Sequence, residues 1–128
     1  MHIMTLLSYY EGDNLYTSAE ISQSININPS LVRVELATLK NAGLLESKEG
    51  KNGGVRLGKS ARNITLGDIF MAVKGESHVL SFSKNMPDVS CKIGQQINDK
   101  LDTIFDKVDY SIVKELHNQT LEEFKNQF

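Results

Sequence analysis

The stretch "TSAEISQSININPSLVRVELATLKNAG", residues 17–43, decides the fold because it contains two helix starts separated by a stop. The first start is "TSAE", which has the pattern of a capping box. The Thr17 hydroxyl can accept a hydrogen bond from the backbone N–H of Glu20, while the Glu20 carboxylate can accept one from the N–H of Thr17. A short helix is therefore predicted after Thr17, and "NIN" at residues 26–28 should end it.

The second start is the pair Asn28–Pro29. Asparagine is a good N-cap, and proline fits the first helical position because the N–H that it lacks would be unpaired there anyway. The helix should run to about Ala42, where Gly43 can take the left-handed conformation. Its apolar residues recur at helical spacing and predict the buried face: Val32, Leu36 and Leu39. The residues left facing outward are Ser30, Leu31, Arg33, Val34, Ala37 and Lys40.

Two short helices joined by a tight turn predict a helix-turn-helix. In that motif the second helix lies in the major groove of DNA, and the residues near its start meet base edges. Ser30 and Arg33 occupy such positions here.

A β-hairpin is predicted directly after the second helix. The pieces "LLESKE", "GKNGG" and "VRLGK" succeed one another over residues 44–59, as two short strands around a glycine-rich loop. A phosphate-binding P-loop would need the G-x-x-x-x-G-K-[ST] spacing and a following helix, and both are missing. A hairpin in this place is the wing of a winged helix, in which Lys48, Lys51 and Arg56 can meet phosphates. The alternative is a plain surface hairpin.

The second half of the chain has a different pattern. "ITLGDIFMAVKGE", residues 64–76, predicts a short β piece followed by a helix, and residues 76–91 form an irregular connector. A long amphipathic helix is predicted from Lys92. It can dock on the domain or pair with a second copy, and pairing is favoured because a small winged helix has little core left for it. The apolar stripe that would form the dimer contact is Ile93, Ile97, Leu101, Ile104, Phe105 and Val108.

The predicted fold is mainly α with a small β-hairpin wing. A winged helix-turn-helix domain covers residues 1–75 and is followed by the connector at residues 76–91. The long dimerisation helix and a C-terminal helical segment that packs back cover residues 92–128.

Composition fits one DNA-binding domain with a reducing, cytoplasmic location. Hydrophobic residues make up 40% of the 128 residues, so a core is expected. No apolar run reaches about eighteen residues, so no membrane span is predicted, and a single cysteine suits a reducing cytoplasm. Residues 26–62 carry seven Lys/Arg and three acidic residues, a net charge of +4. Residues 63–128 carry seven Lys/Arg and ten acidic residues, a net charge of −3. The locally basic segment suits an anionic partner such as DNA, and an ordinary solvated surface is the alternative.

The order of "TSAEISQSININPSLVRVELATLKNAGLLES", "GGVRLGK" and "ITLGDIFMAVKGE" resembles the Rrf2 family of bacterial winged helix-turn-helix transcriptional regulators. The likeness continues to "QTLEEF" near the C-terminus. The resemblance implies a homodimeric DNA-binding repressor, and it places Ser30, Leu31 and Arg33 at base-reading positions. The full set of candidate DNA contacts is Thr17, Ser18, Asn28, Ser30, Leu31, Arg33, Lys40, Lys48, Lys51, Asn52 and Arg56.

Three departures from the family pattern matter. The family's opening helix usually begins several residues before this chain's "MHIMTLL". The family often has arginine before the first glycine of the wing, whereas this chain has Glu49, which phosphates would repel. Either Lys48, Lys51 or Asn52 supplies that contact instead, or the wing contact is weaker. Cluster-binding members carry three cysteines before the long helix, and this chain has Cys91 alone. Two chains offer too few thiolates for an iron–sulfur cluster, so no cofactor or metal is expected.

Cys91 is a candidate redox sensor. It lies near the predicted start of the long helix, whose N-terminus, together with Lys92, would favour the thiolate. The alternative is a free cysteine buried as a small apolar side chain. His2, His78 and His117 show no metal-binding spacing.

The expected function is a sequence-specific dimeric transcriptional regulator, a repressor, that binds a palindromic operator. The alternative is a winged-helix module that binds an acidic protein instead of DNA, with Glu49 as the sign that the wing does not touch DNA. A thiol enzyme using Cys91 with His78 or His117 rests only on residue types, so the chain is not expected to be an enzyme.

Overall fold

Side-chain caps mark the starts of four of the helices described below, α2, α3, α4 and α6. The computed structural model describes residues 1–10, 12 and 14–128. Within these residues, no helix is long and apolar enough to cross a lipid bilayer. The elements in chain order are α1 (His2–Tyr9), α2 (Ser18–Ile25), α3 (Pro29–Asn41), β1 (Leu45–Lys48), β2 (Gly54–Leu57), a 3₁₀ turn (Ala61–Asn63), α4 (Leu66–Lys74), α5 (Ile97–Leu116) and α6 (Leu121–Lys125).

The predicted helix-turn-helix is confirmed, with both of its caps. The N–H of Glu20 donates to Thr17 Oγ1 at 3.2 Å, and the N–H of Thr17 donates to the Glu20 carboxylate at 2.7 Å. Asn26 takes the left-handed conformation (φ 54°) where α2 ends, and Asn28 Oδ1 caps α3 by accepting from the N–H of Ser30 at 2.8 Å. Each cap satisfies a backbone donor that the helix start leaves unpaired, and each is worth about 1 kcal/mol.

A buried hydroxyl holds the turn between α2 and α3. Ser22 is 8% exposed, and its Oγ donates to the carbonyl of Ile27 at 2.5 Å. The N–H of Ile27 donates in return to the carbonyl of Ser22 at 3.2 Å. Since a buried polar group must find a partner, these two bonds fix the path of the chain from α2 into α3.

The main hydrophobic core joins the helix-turn-helix to both ends of the chain. Val32, Leu36 and Leu39 are buried, so the predicted inner face of α3 is confirmed. Leu121 brings α6 into the same cluster and has no exposed surface. Full burial of an aliphatic side chain stabilises the fold by about 1.5–3 kcal/mol. The other members are Ile3, Met4, Leu7, Ile21, Leu44, Leu45, Ala61, Ile64, Leu66 and Ile69.

The predicted hairpin is also confirmed. Strands β1 and β2 pair antiparallel, with Leu45 opposite Leu57 and Lys48 opposite Gly54. Gly43 has φ 73° just before β1, which is the left-handed conformation predicted at the end of α3. The hairpin follows the second helix of the helix-turn-helix, as in a winged helix.

The C-terminal segment packs back on the first half of the chain. The N–H of Leu121 donates to the carbonyl of Ile64 at 2.7 Å, and Thr65 and Thr120 form an isolated antiparallel bridge. Lys125 Nζ donates to the carbonyl of Ser8 at 3.1 Å, near the end of α1. These contacts anchor α6 beneath α1.

The predicted start of the long helix at Lys92 is wrong, because α5 begins at Ile97. Gly94 packs against the backbone of Asp88, where an added Cβ would lie 2.1 Å from the carbonyl oxygen. One carboxylate oxygen of Asp88 accepts from both the N–H and the hydroxyl of Ser90 at 2.8 Å. These local contacts keep the chain in turns before α5, and a hydrophobic period does not reveal them.

The apolar stripe predicted along the long helix divides between two environments. Phe105 is buried within its own chain, with its ring centroid 5.1 Å from that of Phe82. Ile93 lies before the helix and is 71% exposed. Both depart from the predicted stripe: Phe105 because Phe82 of the connector packs on it, and Ile93 because α5 begins only at Ile97. Ile104 is 52% exposed, and the stripe's remaining members, Ile97, Leu101 and Val108, are half-buried.

Asp109 ties the connector to α5. This carboxylate is 8% exposed. It lies 2.7 Å from His78 Nδ1 and 3.4 Å from Lys74 Nζ, and it accepts from the N–H of Val79 at 3.1 Å. His78 Nε2 lies 3.1 Å from the carboxylate of Asp102. Only a protonated imidazole donates from both nitrogens, so His78 satisfies both carboxylates only in its charged form.

His78 and Asp109 favour each other's charged forms. The hydrogen bond to Asp109 is the main cause that raises the pKa of His78, and Asp102 adds to it. Burial raises the pKa of Asp109, but hydrogen bonds from His78, Val79 and Lys74 outweigh that effect, so its pKa falls below the usual 3.8. The stabilisation from His78 is therefore present below pH 6.5 and is lost as the pH rises through the raised pKa. The stabilisation from Asp109 is present above pH 3.8 and is lost as the pH falls through the lowered pKa.

We predict that His78→Gln destabilises the protein more at about pH 6 than at about pH 9, because glutamine cannot carry the imidazolium charge. The measurement is the urea midpoint of unfolding for both proteins at both pH values. Asp102→Asn removes only the second partner of His78, so it should show a smaller version of the same trend. An equal midpoint difference at the two pH values would contradict the pairing.

Candidate nucleic-acid interface

The outer face of α3 is open to solvent. Ser30, Arg33 and Lys40 are exposed, and Leu31 and Val34 are 60% and 62% exposed. They lie outward as predicted, because the opposite face of the helix is fixed in the core. The helix thus offers a hydroxyl, a guanidinium and aliphatic side chains, which are groups that can read base edges in a major groove.

The candidate DNA-contacting residues at the helix starts are Thr17, Ser18 and Asn28, and two of them already use their side-chain oxygens as helix caps. Thr17 and Asn28 are exposed, but their side-chain oxygens accept the capping hydrogen bonds. Ser18 is half-buried. The pKa of Glu20 is lowered, first by the backbone N–H of Thr17 and then by its hydroxyl, so a charged carboxylate stays beside the start of α2. A phosphate would be repelled there, which leaves the start of α3 as the better anion-facing helix end.

The wing is fastened to the helix-turn-helix by an additional backbone bridge. The N–H of Tyr16, just before α2, donates to the carbonyl of Val55 at 3.0 Å, and the N–H of Val55 donates to the carbonyl of Tyr16 at 2.8 Å. Gly54 makes this approach possible, since a Cβ there would lie 2.7 Å from the carbonyl oxygen of Tyr16. Its φ of +154° also disfavours other residues. A two-stranded hairpin is marginal alone, so the bridge and the buried Leu45 of β1 together position the wing.

The wing has exposed cations near its tip and an ion pair along its strands. Lys48, Lys51 and Asn52 are exposed, as a phosphate contact requires. Arg56 donates from Nε to the carboxylate of Glu46, its opposite neighbour in the register. A phosphate contact from Arg56 would therefore compete with an existing partner, which makes the two lysines the stronger candidates.

A group of exposed apolar side chains on α3 and the turn before it goes beyond the sequence prediction. The helical period predicts an outward position for Val34 but no role, and it does not point to Ile27. Val34 is 62% exposed about one turn along α3 from Leu31, and Ile27, in the turn before the helix, is 46% exposed. The i, i+3 spacing of Leu31 and Val34 is the signal that could have revealed adjacent apolar side chains on the outer face of α3.

Cys91 is exposed. Hydrogen bonds from the backbone N–H groups of Gly94, first, and Ile93, second, lower the pKa of its thiol. The predicted cause, a helix N-terminus, is wrong because α5 starts at Ile97; the turn before the helix supplies the donors instead. The alternative of a thiol buried within this chain is also wrong. An exposed thiol that readily forms its thiolate is suited to reaction with oxidants.

Known proteins that resemble this chain do so over nearly its whole length, and they are transcriptional regulators. The family model Rrf2, described as an iron-dependent transcriptional regulator, matches residues 1–127. The "Putative HTH-type transcriptional regulator YwnA" of Bacillus subtilis is 32% identical over 127 residues, which cover 98% of this chain and 91% of YwnA. A similarly named protein, YffB of Lactococcus lactis, is 22% identical over 122 residues, covering 94% of this chain and 78% of YffB.

Solved structures share the fold. CymR (YrzC), the global cysteine regulator of B. subtilis, is 25% identical with a TM-score of 0.67, covering 99% of this chain and 90% of CymR. T. potens IscR has a TM-score of 0.69 over 98% of this chain and 80% of IscR. At 23% identity, the likeness to IscR concerns the fold alone.

The residues of this chain do not fit the iron that the family description names. Cys91 is the one cysteine in the sequence. Across residues 1–10, 12 and 14–128, no group of three or more His, Cys, Asp or Glu side chains is arranged to hold a metal ion. An iron–sulfur cluster needs a thiolate or imidazole at nearly every iron corner, and this donor set falls short of that.

We predict that Gly54→Ala destabilises the protein by about 1–3 kcal/mol, because its Cβ would collide with the Tyr16 backbone. Chemical denaturation measures the change, and amide hydrogen exchange at Tyr16 and Val55 should accelerate. Ser47→Ala, at an exposed position of β1, is the control and should change stability by less than about 0.5 kcal/mol. Unchanged exchange at Tyr16 in Gly54→Ala would contradict the role of the bridge.

Proposed function

Because the chain belongs to the Rrf2 family of transcriptional regulators, we propose that it is a sequence-specific DNA-binding repressor that acts as a cytoplasmic homodimer. The observation that carries the proposal is the exposure of Ser30 and Arg33 near the start of α3, next to a wing that backbone hydrogen bonds hold in place. This is the arrangement that a helix-turn-helix needs to enter a major groove.

In this proposal, α3 reads bases and the wing binds phosphates. The Arg33 guanidinium can donate two hydrogen bonds to the O6 and N7 atoms of guanine, and Ser30 contacts a base edge or a phosphate. Lys48 and Lys51 of the wing contribute affinity that does not depend on sequence and weakens with salt. Lys40, exposed near the end of α3, adds a further backbone contact.

The dimer forms through α5. An apolar groove on this helix includes Ile104, Val108 and Ile112, with Lys107 and Glu115 also lining it. A second copy packed antiparallel would cover the apolar residues and set each lysine near the other chain's glutamate, as a two-fold interface allows. Two recognition helices related by such an axis bind a palindromic operator with half-sites about 34 Å apart.

The signal in this proposal is oxidation of the Cys91 thiolate by a peroxide. The sulfur attacks one peroxide oxygen, the O–O bond breaks, and hydroxide leaves with the bonding pair, so that a sulfenic acid remains. Cys91 lies on the connector that His78 joins to Asp109 of α5. A change in the connector therefore reaches the helix that forms the dimer.

A second candidate is a winged-helix module that binds an acidic protein. The observation in its favour is Glu49, an exposed carboxylate next to the loop of the wing. A gel shift with a pool of random duplexes separates the two candidates. Retention of selected duplexes supports the repressor, and failure to retain any duplex at low salt favours the protein-binding module.

We predict that Arg33→Ala loses discrimination at one base pair per half-site by about 1–3 kcal/mol, whereas Lys51→Ala weakens all sequences alike. Lys51→Ala should also reduce the slope of log affinity against log salt by about 1 for each phosphate that the lysine no longer neutralises. Both are measured by fluorescence anisotropy on a panel of single-base variants of the selected duplex. Retention of full base discrimination in Arg33→Ala would remove this residue from base reading.

We predict that hydrogen peroxide lowers the DNA affinity of the wild-type protein and leaves Cys91→Ser unaffected. The reason is that the thiolate, favoured by the N–H groups of Gly94 and Ile93, is the reactive species. Mass spectrometry reports the oxidation state while anisotropy reports binding. Unchanged binding by protein with fully oxidised Cys91 would contradict the role in signalling.

A further inference from the structure

The exposed face of α3 carries an apolar ridge that folding does not explain. Ile27, Leu31 and Val34 are 46%, 60% and 62% exposed. Leu31 and Val34 are spaced i and i+3 on α3, so their side chains are neighbours on the helix surface, and Ile27 lies in the turn before the helix. Single exposed apolar residues are ordinary, but a contiguous line of them on a binding surface indicates a contact.

Valine and isoleucine are not chosen here for the helix itself. β-Branched side chains lose rotamer freedom in helices, and lysine or glutamate would be better helix formers at exposed positions. Val34 buries little within the chain, in contrast to Val32, which is 1% exposed on the opposite face. The stiffness of valine has one advantage for binding, because little side-chain entropy is lost on contact.

We infer that Leu31 and Val34 read the C5-methyl groups of thymines in the major groove. This inference rests on the proposed DNA-binding function and adds the class of sequence that the operator contains. Thymine is the one base that presents a methyl group there. Against guanine or adenine, an aliphatic side chain would cover N7 or O6 acceptors and leave them without a hydrogen bond, which is costly.

The spacing of the two residues fits neighbouring base pairs. Residues at i and i+3 of a helix have Cβ atoms about 5–6 Å apart, and successive bases of one strand rise by about 3.4 Å. Leu31 and Val34 therefore meet methyl groups one or two base pairs apart. Arg33 lies on the other edge of the same exposed face, so a half-site would combine a guanine with adjacent A·T pairs.

The charge around the ridge favours DNA as its occupant. Arg33 and Lys40 lie on the same helix, and Lys48 and Lys51 lie on the wing that follows it; all four are exposed. These cations favour an anionic occupant, and DNA supplies one as the phosphates on both sides of a groove. An interface between two copies of the chain is the competing occupant and becomes one outcome of the test.

The test removes single methyl groups from the DNA. A duplex selected by the wild-type protein from a random pool is remade with deoxyuridine in place of each thymine in turn, which deletes the methyl group and keeps the base pair. Burial of one CH₂ or CH₃ group is worth about 0.8 kcal/mol, so Kd should rise about fourfold at each contacted thymine. Leu31→Ala and Val34→Ala should bind the parent duplex more weakly. Each variant should also lose the effect of deoxyuridine on Kd at one thymine position.

Val73→Ala is the matched control, because this valine is 47% exposed on α4; it should keep the full wild-type sensitivity to deoxyuridine.

Sedimentation of Leu31→Ala and Val34→Ala should show the wild-type oligomeric state. If a specific duplex is selected but no deoxyuridine changes Kd, or both variants stay as sensitive as wild type, the inference is overturned and the proposed function stands. Loss of self-association in either variant would assign the ridge to an interface between copies and also overturn the inference. Failure to select any duplex would overturn the proposed function together with the inference.

Discussion

The backbone bridge between Tyr16 and Val55 is the constraint on which the binding surface depends. Its two hydrogen bonds, at 3.0 and 2.8 Å, join the segment before α2 to the second strand of the wing. The bridge forms because Gly54 has no side chain to collide with Tyr16. The hairpin alone would be only marginally ordered, so the bridge and the burial of Leu45 in the core together hold its lysines in place relative to α3.

The surface built on this constraint divides its chemistry between two elements. On α3, the buried residues Val32, Leu36 and Leu39 fix the rotation of the helix about its axis. The guanidinium, the hydroxyl and the aliphatic ridge therefore face outward. On the wing, the pairing of Arg56 with Glu46 leaves Lys48 and Lys51 as the better candidates for phosphate contact. The division matches the general rule that phosphate contacts position a protein on DNA while base contacts specify sequence.

Local signals explain how far the sequence could predict this fold. The capping box at Thr17, the cap at Asn28 and the glycine at the end of α3 each act within a few residues, so their pattern was sufficient. The start of α5 depended on the close approach of Gly94 to Asp88, and the burial of Phe105 depended on Phe82 of the connector. The ties from Asp109 to His78 and Lys74 join residues that lie far apart in the chain, and a single sequence holds no periodic signal for such pairs.

The central claim, that α3 and the wing form one DNA-binding surface, is tested most directly by amide hydrogen exchange of the full chain with and without a duplex that it has selected. We expect slower exchange on DNA binding in the first turns of α3 and in residues 48–54. We expect little change in the connector at residues 76–91. Protection confined to the connector and α5, with α3 and the wing unchanged, would contradict it.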